Sequence, residues 1–142
     1  NREMGKGEIL IKGHGVLLIA LGHMNGVAKK AMELLAERGI FPTLLDPVFI
    51  KPLDEELLIQ LLKEHSQIVT LEEHSVISGL GASVRYFLSR TGVSGVDLLN
   101  LGIPDRFVEH GAYLDVLSDV GLTPDNVAAS ILHWCQSLAG AL

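Results

Sequence analysis

The chain has 142 residues, the length of one domain, and 48% of them are hydrophobic, which excludes a disordered chain. A formal net charge of −6 argues against a general nucleic-acid surface, and no apolar run reaches the roughly 18 residues of a membrane span. The single cysteine, Cys135, excludes an internal disulfide. We therefore expect a globular domain with no nucleic-acid or membrane partner. Because the chain does not begin with methionine, we also expect it to be a fragment of a longer protein or a processed chain.

The first third of the chain predicts two strands, a helix and a third strand. Glu8–Lys12 is a short strand, and Val16–Leu21 is an unbroken apolar run, typical of a strand covered on both faces. The short link between them permits an antiparallel hairpin and excludes a parallel crossover. The helix that follows begins with Asn25 as its cap and ends before Gly39 as a left-handed residue. Thr43–Asp46 is the third strand.

The rest of the chain alternates helix and strand. A helix begins at Asp54 with acids in its first turn, and Lys63 and His65 lie near its end, which suits the helix dipole. A strand at Ile68–Leu71 and a helix from about Gly79 to Arg90 follow.

The C-terminal part predicts a fifth strand at Val96–Leu101, a short helix at Tyr113–Val120 and a last helix that Thr123 caps. This alternation indicates one α/β domain over residues 1–142. We expect three layers, α/β/α, with a five-stranded mixed sheet whose first strand is antiparallel to the rest.

The most informative stretch is the junction between the fourth strand and its helix, because sites in open α/β sheets lie at such strand ends. Its polar and glycine residues are Glu72, Glu73, His74, Gly79 and Gly81. A phosphate loop is disfavoured, since Val84 stands where the third glycine of that motif belongs and two glutamates would repel an anion.

A carboxylate beside an imidazole suits acid–base chemistry or a hydrogen-bonded interface, and we favour a satisfied polar cluster that includes an interface role. Val76 and Ile77 add exposed apolar side chains to this loop, and glycines allow close approach of a backbone. We expect Glu72–Gly81 to lie at or beside a contact between two such domains.

A second polar cluster joins Asp105 and Arg106 to Glu109 and His110. Arg106 could clamp a carboxylate or phosphate, but we favour a bracing role in its own loop. The six histidines show no metal-ligand spacing, and Cys135 beside Trp134 reads as a buried, inert thiol. No complete catalytic set is apparent in the sequence.

Several motifs carry a family resemblance. The run Leu101–Gly111 closely resembles a signature of 1-deoxy-D-xylulose-5-phosphate synthases, and Phe49–Asp54 and Leu71–His74 resemble further motifs of that family. Gly121–Pro124 is similar to a tail shared with transketolases. The resemblance extends from about Gly5 to Trp134, with the motifs in order.

The resemblance implies the C-terminal domain of a three-domain enzyme that condenses pyruvate with glyceraldehyde 3-phosphate and releases carbon dioxide, for isoprenoid, thiamine and pyridoxal synthesis. The family uses thiamine diphosphate and Mg²⁺, whose motifs lie in the earlier domains. It therefore implies no catalytic, cofactor-binding or metal residues here, and an inactive isolated fragment. A catalytic role for His74 is not carried over, because relatives often have glycine there.

The implied partners are the preceding domains of the same chain and a second copy in a homodimer, in the cytoplasm of a bacterium or a plant plastid. The alternatives are the C-terminal domain of another thiamine diphosphate enzyme, such as a transketolase or a 2-oxo acid dehydrogenase beta subunit, or an independent phosphate-binding module. Candidates for an interface, or for support beside a site, are Glu72, Glu73, His74, Ile77, Gly79, Gly81, Asp105, Arg106 and His110.

Overall fold

The computed structural model describes residues 5–75, 79–103 and 122–140, with only the backbone at 74, 75 and 103. These residues form five strands and four helices. The elements are β1 (Glu8–Ile11), β2 (Gly15–Ala20), α1 (Met24–Ala36), β3 (Thr43–Asp46), α2 (Glu55–Leu61), β4 (His65–Ser75), α3 (Leu80–Thr91), β5 (Asp97–Ile103) and α4 (Pro124–Gly140). None of these helices is long and apolar enough to cross a membrane.

The sheet has the order β1-β3-β2-β4-β5, and β1 alone runs antiparallel among these five strands, which confirms the expected mixed sheet. The short link permitted a hairpin, but β1 pairs with β3 because both edges of β2 are taken by parallel neighbours. The link crosses the start of β3 in close contact. A Cβ on Gly13 would lie 2.0 Å from the carbonyl oxygen of Phe41, so only glycine fits this crossing.

Two apolar cores cover the two faces of the sheet and make the three layers that the alternation predicted. Val16, Leu18 and Ala20 of β2 pack towards α1 and α4. The side chains between them, Leu17 and Ile19, pack towards α2 and α3. All five are buried, as the period of two in a strand covered on both faces requires.

The helix ends follow the sequence signals in part. Asp54 caps α2 by accepting a hydrogen bond from the Leu57 amide at 3.2 Å, and Gly39 adopts the left-handed backbone at φ 77°. The prediction that Asn25 caps α1 is wrong, since α1 begins one residue earlier. The Asn25 amide group instead donates to the carbonyl of Gly22 at 2.9 Å.

Strand β4 is longer than the apolar pattern indicated. The expectation that Glu72 and Glu73 follow the strand is wrong, because pairing continues past them to the match of Ser75 with Ile103. At its other end, His65 begins β4 rather than ending α2, and its imidazole is buried.

His65 still serves the end of α2. Its Nδ1 lies 2.7 Å from the carbonyl oxygen of Leu61, and its Nε2 lies 2.7 Å from the Thr43 hydroxyl. A carbonyl can only accept, so Nδ1 carries a proton and donates to it, while Nε2 shares a hydrogen bond with the Thr43 hydroxyl. The Gly13 amide donates to the same hydroxyl oxygen at 3.0 Å. This chain of hydrogen bonds joins the end of α2 to the first residues of β3 and β4.

Candidate functional site

The carboxyl edge of the sheet contains a topological switch point. After β2 the chain turns to α1 on one face, and after β4 it turns to α3 on the other. Because β2 and β4 are neighbours in the sheet, the switch point lies between their carboxyl ends. Ligands of doubly wound sheets bind at such switch points, so this edge is a candidate for a site.

Glu72 lies at this edge, and its side chain is fully buried. One carboxylate oxygen accepts from the amide of Leu80 at 2.5 Å, and the other accepts from the amide of Gly81 at 2.7 Å. These are the amides of the first turn of α3, which a bound anion would otherwise use. The carboxylate therefore occupies the anion position itself, which agrees with the rejection of a phosphate loop.

Gly81 is required by packing inside the domain. A Cβ at this position would lie 2.7 Å from Oδ1 of Asn100 on β5. Asn100 is held in place because its Oδ1 accepts from the Thr70 hydroxyl at 2.6 Å. Glu72 and Gly81 thus have partners within their own domain. The interpretation of both as interface residues did not include these internal contacts.

Glu73 points to the other side of β4, where its carboxylate contacts Nε2 of His23. The His23 side chain is 74% exposed and that of Glu73 is 20% exposed, so the pair is partly open to solvent at this edge of the sheet. His23 was missed by the sequence interpretation, although its position three residues after the end of β2 was the available signal. An imidazole beside a carboxylate can exchange a proton, but the described residues here supply no nucleophile with it.

Asn25 lies in the first turn of α1 and is buried. Its Nδ2 faces the Gly22 carbonyl, so its Oδ1 must point the other way, where this buried oxygen meets no donor within the part of the chain that the structure describes. Such an oxygen would suit a buried water or another donor group.

The donor set does not fit a diphosphate with its magnesium ion. The first-turn amides of α3 are taken by Glu72, and the described ranges contain no group of three potential ligands placed to hold a metal. No step of chemistry on such a cofactor is therefore assigned to these residues.

Several predictions fall on residues that the structure does not describe. They concern the side chain of His74, the loop residue Ile77, the short helix at residues 113–120 and the second polar cluster. The cluster members outside the described residues are Asp105, Arg106, Glu109 and His110. The roles given to them from the sequence stay predictions.

A second surface feature is a cleft of about 590 Å³ between the loop before α2 and one side of α3. It is lined by Ile50, Lys51, Pro52, Leu53, Glu55, Ala82, Ser83, Tyr86 and Phe87. Tyr86 is 67% exposed, and the guanidinium of Arg90 lies 5.8 Å from the centre of its ring. Arg90 also pairs with Glu55, whose carboxylate raises the pKa of the guanidinium.

Comparison with known proteins gives one matching family model, that of the transketolase C-terminal domain, over residues 5–127. The chain is 48% identical over 128 residues to a 1-deoxy-D-xylulose-5-phosphate synthase of Chlamydia muridarum, which covers 90% of this chain and 20% of that protein. Its identity to the synthase of Brevibacillus brevis is 42% over 128 residues, with the same coverage.

A plant relative is similar at the same level. The probable synthase 2 of Oryza sativa, described as chloroplastic, is 42% identical over 132 residues, with 92% of this chain and 18% of that protein covered. The chain thus spans about one fifth of the length of these relatives.

Solved structures agree with this fold. A split-gene transketolase, described as an inactive beta4 tetramer, is 35% identical, with a TM-score of 0.84 over 93% of this chain and 43% of that one. A transketolase of Pichia stipitis, 19% identical with a TM-score of 0.63 over 89% of this chain and 17% of that one, shares the fold.

Proposed function

The chain belongs to the transketolase C-terminal domain family, and we propose that it is the C-terminal domain of a 1-deoxy-D-xylulose-5-phosphate synthase. The observation that carries this proposal is the identity of 42–48% to synthases from bacteria and rice over about nine tenths of the chain. The transketolase structures that match are 35% and 19% identical, which favours the synthase over a transketolase.

The whole protein would condense pyruvate with glyceraldehyde 3-phosphate and release carbon dioxide. Thiamine diphosphate, bound with Mg²⁺ by the preceding domains, would supply the carbanion chemistry. This domain would contribute stability and assembly, since its described residues fit no such cofactor and their polar groups mostly serve the fold. The compartment would be the cytoplasm in a bacterium and the plastid in a plant.

The assembly role includes a homodimer contact at or beside residues 72–81. Glu72 and Gly81 are used inside the domain, so Glu73 and Ile77 would be the contacting members of this segment. The exposed His23 beside Glu73 would extend the same surface. In the full-length protein, Ile77→Asp should weaken the dimer across a dilution series in sedimentation. Ile59→Asp, at an exposed position of α2, is the matched control that should leave the dimer intact.

The activity is tested with the purified full-length protein, thiamine diphosphate and Mg²⁺. Pyruvate and glyceraldehyde 3-phosphate should give deoxyxylulose phosphate with one carbon dioxide released for each product. Transfer of a two-carbon unit from a ketose phosphate, without carbon dioxide, would identify a transketolase instead. Acyl transfer from a 2-oxo acid to a lipoyl group would identify a dehydrogenase beta subunit.

A further inference from the structure

We infer that the cleft between the β3–α2 loop and α3 is the seat of the polypeptide that precedes Gly5 in the full-length protein. The inference rests on the proposed function only in that a larger part of the chain comes before this domain. The relatives are about five times as long as the chain, and the match to a C-terminal domain begins at residue 5.

The residue composition of the cleft is typical of a protein interface. Its floor is apolar, formed by Ile50, Leu53 and the buried Phe87. Tyr86 stands at its side with the Arg90 guanidinium over its ring. Tyrosine and arginine are the residue types most enriched among interface residues that carry binding energy. Tyr86 has the largest exposed fraction of the large hydrophobic side chains described, so the isolated fold makes little use of its ring.

The charged rim surrounds this apolar centre. Lys51 is exposed on one wall, and Glu55 pairs with Arg90 across the other. A polar rim around an aromatic and aliphatic centre is the usual arrangement of a protein–protein contact. The described cleft residues lie on the β3–α2 loop, the first residue of α2 and α3, so a single protein surface could engage them together.

The position of the first described residues indicates which polypeptide fills the cleft. A Cβ on Gly5 would lie 3.1 Å from Cγ of Pro52, which lines the cleft. The amide of Gly7 donates to the Asp54 carboxylate at 3.0 Å, and Lys6 lies 4.0 Å from the Glu56 carboxylate. Gly5 thus lies against Pro52 on one wall of the cleft, and the preceding polypeptide joins the domain at this point.

Each residue before Gly5 extends the chain by at most about 3.6 Å, so a short stretch already reaches the cleft floor. A surface tethered at this distance is presented at an effective concentration of about millimolar, without diffusion of a separate molecule. The tether therefore favours the same polypeptide over a second copy as the occupant.

The first experiment is hydroxyl-radical footprinting of the native full-length protein, with each rate normalised to the denatured chain. The oxidation rate of Tyr86 should be lower, by about fivefold or more, than the rate expected from its 67% exposure in the domain. A Tyr86 oxidation rate in the native protein within about twofold of that in the denatured chain overturns the inference. Protection that disappears on dilution assigns the cleft to a second copy and also overturns it.

The second experiment uses variants of the full-length protein. Tyr86→Asp should speed proteolytic cleavage before Gly5 by about tenfold, because the domain then undocks more often. Phe41→Asp is the control, since Phe41 is 49% exposed and lies on the α1 side of the sheet. Equal cleavage of the two variants overturns the inference. Neither readout depends on catalysis, so a failure of the proposed activity is distinguished from a failure of docking.

Discussion

The carboxylate of Glu72 and the backbone amide of Gly81 are joined by a hydrogen bond of 2.7 Å inside the domain. This contact ties the carboxyl end of β4 to the first turn of α3, nine residues later in the chain. It also fills the position at which an anion would bind, so the described part of the domain offers no phosphate cradle at this junction. The contact counts against the alternative of an independent phosphate-binding module.

Replacing Glu72 with glutamine should destabilise the domain. The charge is lost, and one of the two amides of α3 then faces an NH₂ group instead of an oxygen. We expect a loss of about 1–3 kcal/mol in the free energy of unfolding, measured by urea titration. Glu33→Gln, on an exposed face of α1, should change it by less than about 0.5 kcal/mol. Equal losses of unfolding free energy in the two variants would contradict the capping role of Glu72.

Gly81→Ala tests the contact with Asn100. The new methyl group would lie 2.7 Å from the Asn100 amide oxygen, and we expect a loss of about 1–3 kcal/mol from overpacking. Gly26→Ala in α1 is the matched control, because a Cβ there meets no atom within 4 Å. That control should stabilise the domain by about 0.5–1 kcal/mol. Adding Asn100→Ala to Gly81→Ala should recover part of the loss, and a strictly additive double variant would rule the clash out.

Thr43→Val should disrupt the chain of hydrogen bonds that links Gly13, Thr43 and His65. Valine has a similar shape but leaves the Gly13 amide and Nε2 of His65 without their partner. We expect a loss of about 1–3 kcal/mol in chemical denaturation. The same substitution at Thr91, whose hydroxyl only donates to the Phe87 carbonyl at an exposed helix end, serves as control and should be nearly neutral. A neutral Thr43→Val would show that water replaces the hydroxyl.

Cys135 should respond slowly to thiol reagents. Partial burial raises the pKa of its thiol above the ordinary value of 9.0, so less thiolate is present at a given pH than in a free cysteine. The folded thiol holds its proton more tightly than the unfolded one. Its stabilising contribution is therefore present below pH 9.0 and is lost as the pH rises through the raised folded pKa.

The measurement for Cys135 is the alkylation rate of the folded domain from pH 7 to 10, compared with a denatured sample. Cys135→Ser should remove the alkaline loss of stability that this thiol contributes. A folded-state rate equal to that of the denatured chain would contradict the assignment of an inert thiol.

The isolated domain should not bind thiamine diphosphate. The first-turn amides of α3 already serve Glu72, and the described residues assemble no metal ligand group. A ligand that binds only the folded state raises the melting temperature once its concentration passes its dissociation constant. We expect no such shift with thiamine diphosphate and Mg²⁺ present. A rise of several degrees, absent with Mg²⁺ alone, would place part of the cofactor site in this domain.

Local patterns of residues are enough to establish the class of fold and its layers. Unbroken apolar runs such as Val16–Leu21 mark strands covered on both faces, and the helices carry their own signals in the cap Asp54 and the left-handed Gly39. These features depend on residues close in the chain, so a local pattern is enough to find them. The motif at Phe49–Asp54 likewise indicated the family without any knowledge of contacts.

The tertiary structure alone decided how these elements meet. Strand β1 lies beside β3 because both edges of β2 are occupied, and β4 extends past Glu72 because Ser75 pairs with Ile103 of β5. The roles of Glu72, Gly81 and His23 depend on atoms far away in sequence, among them the side chain of Asn100. Charge and spacing in a sequence show that a carboxylate is present, but only packing determines whether a ligand or the protein's own backbone satisfies it.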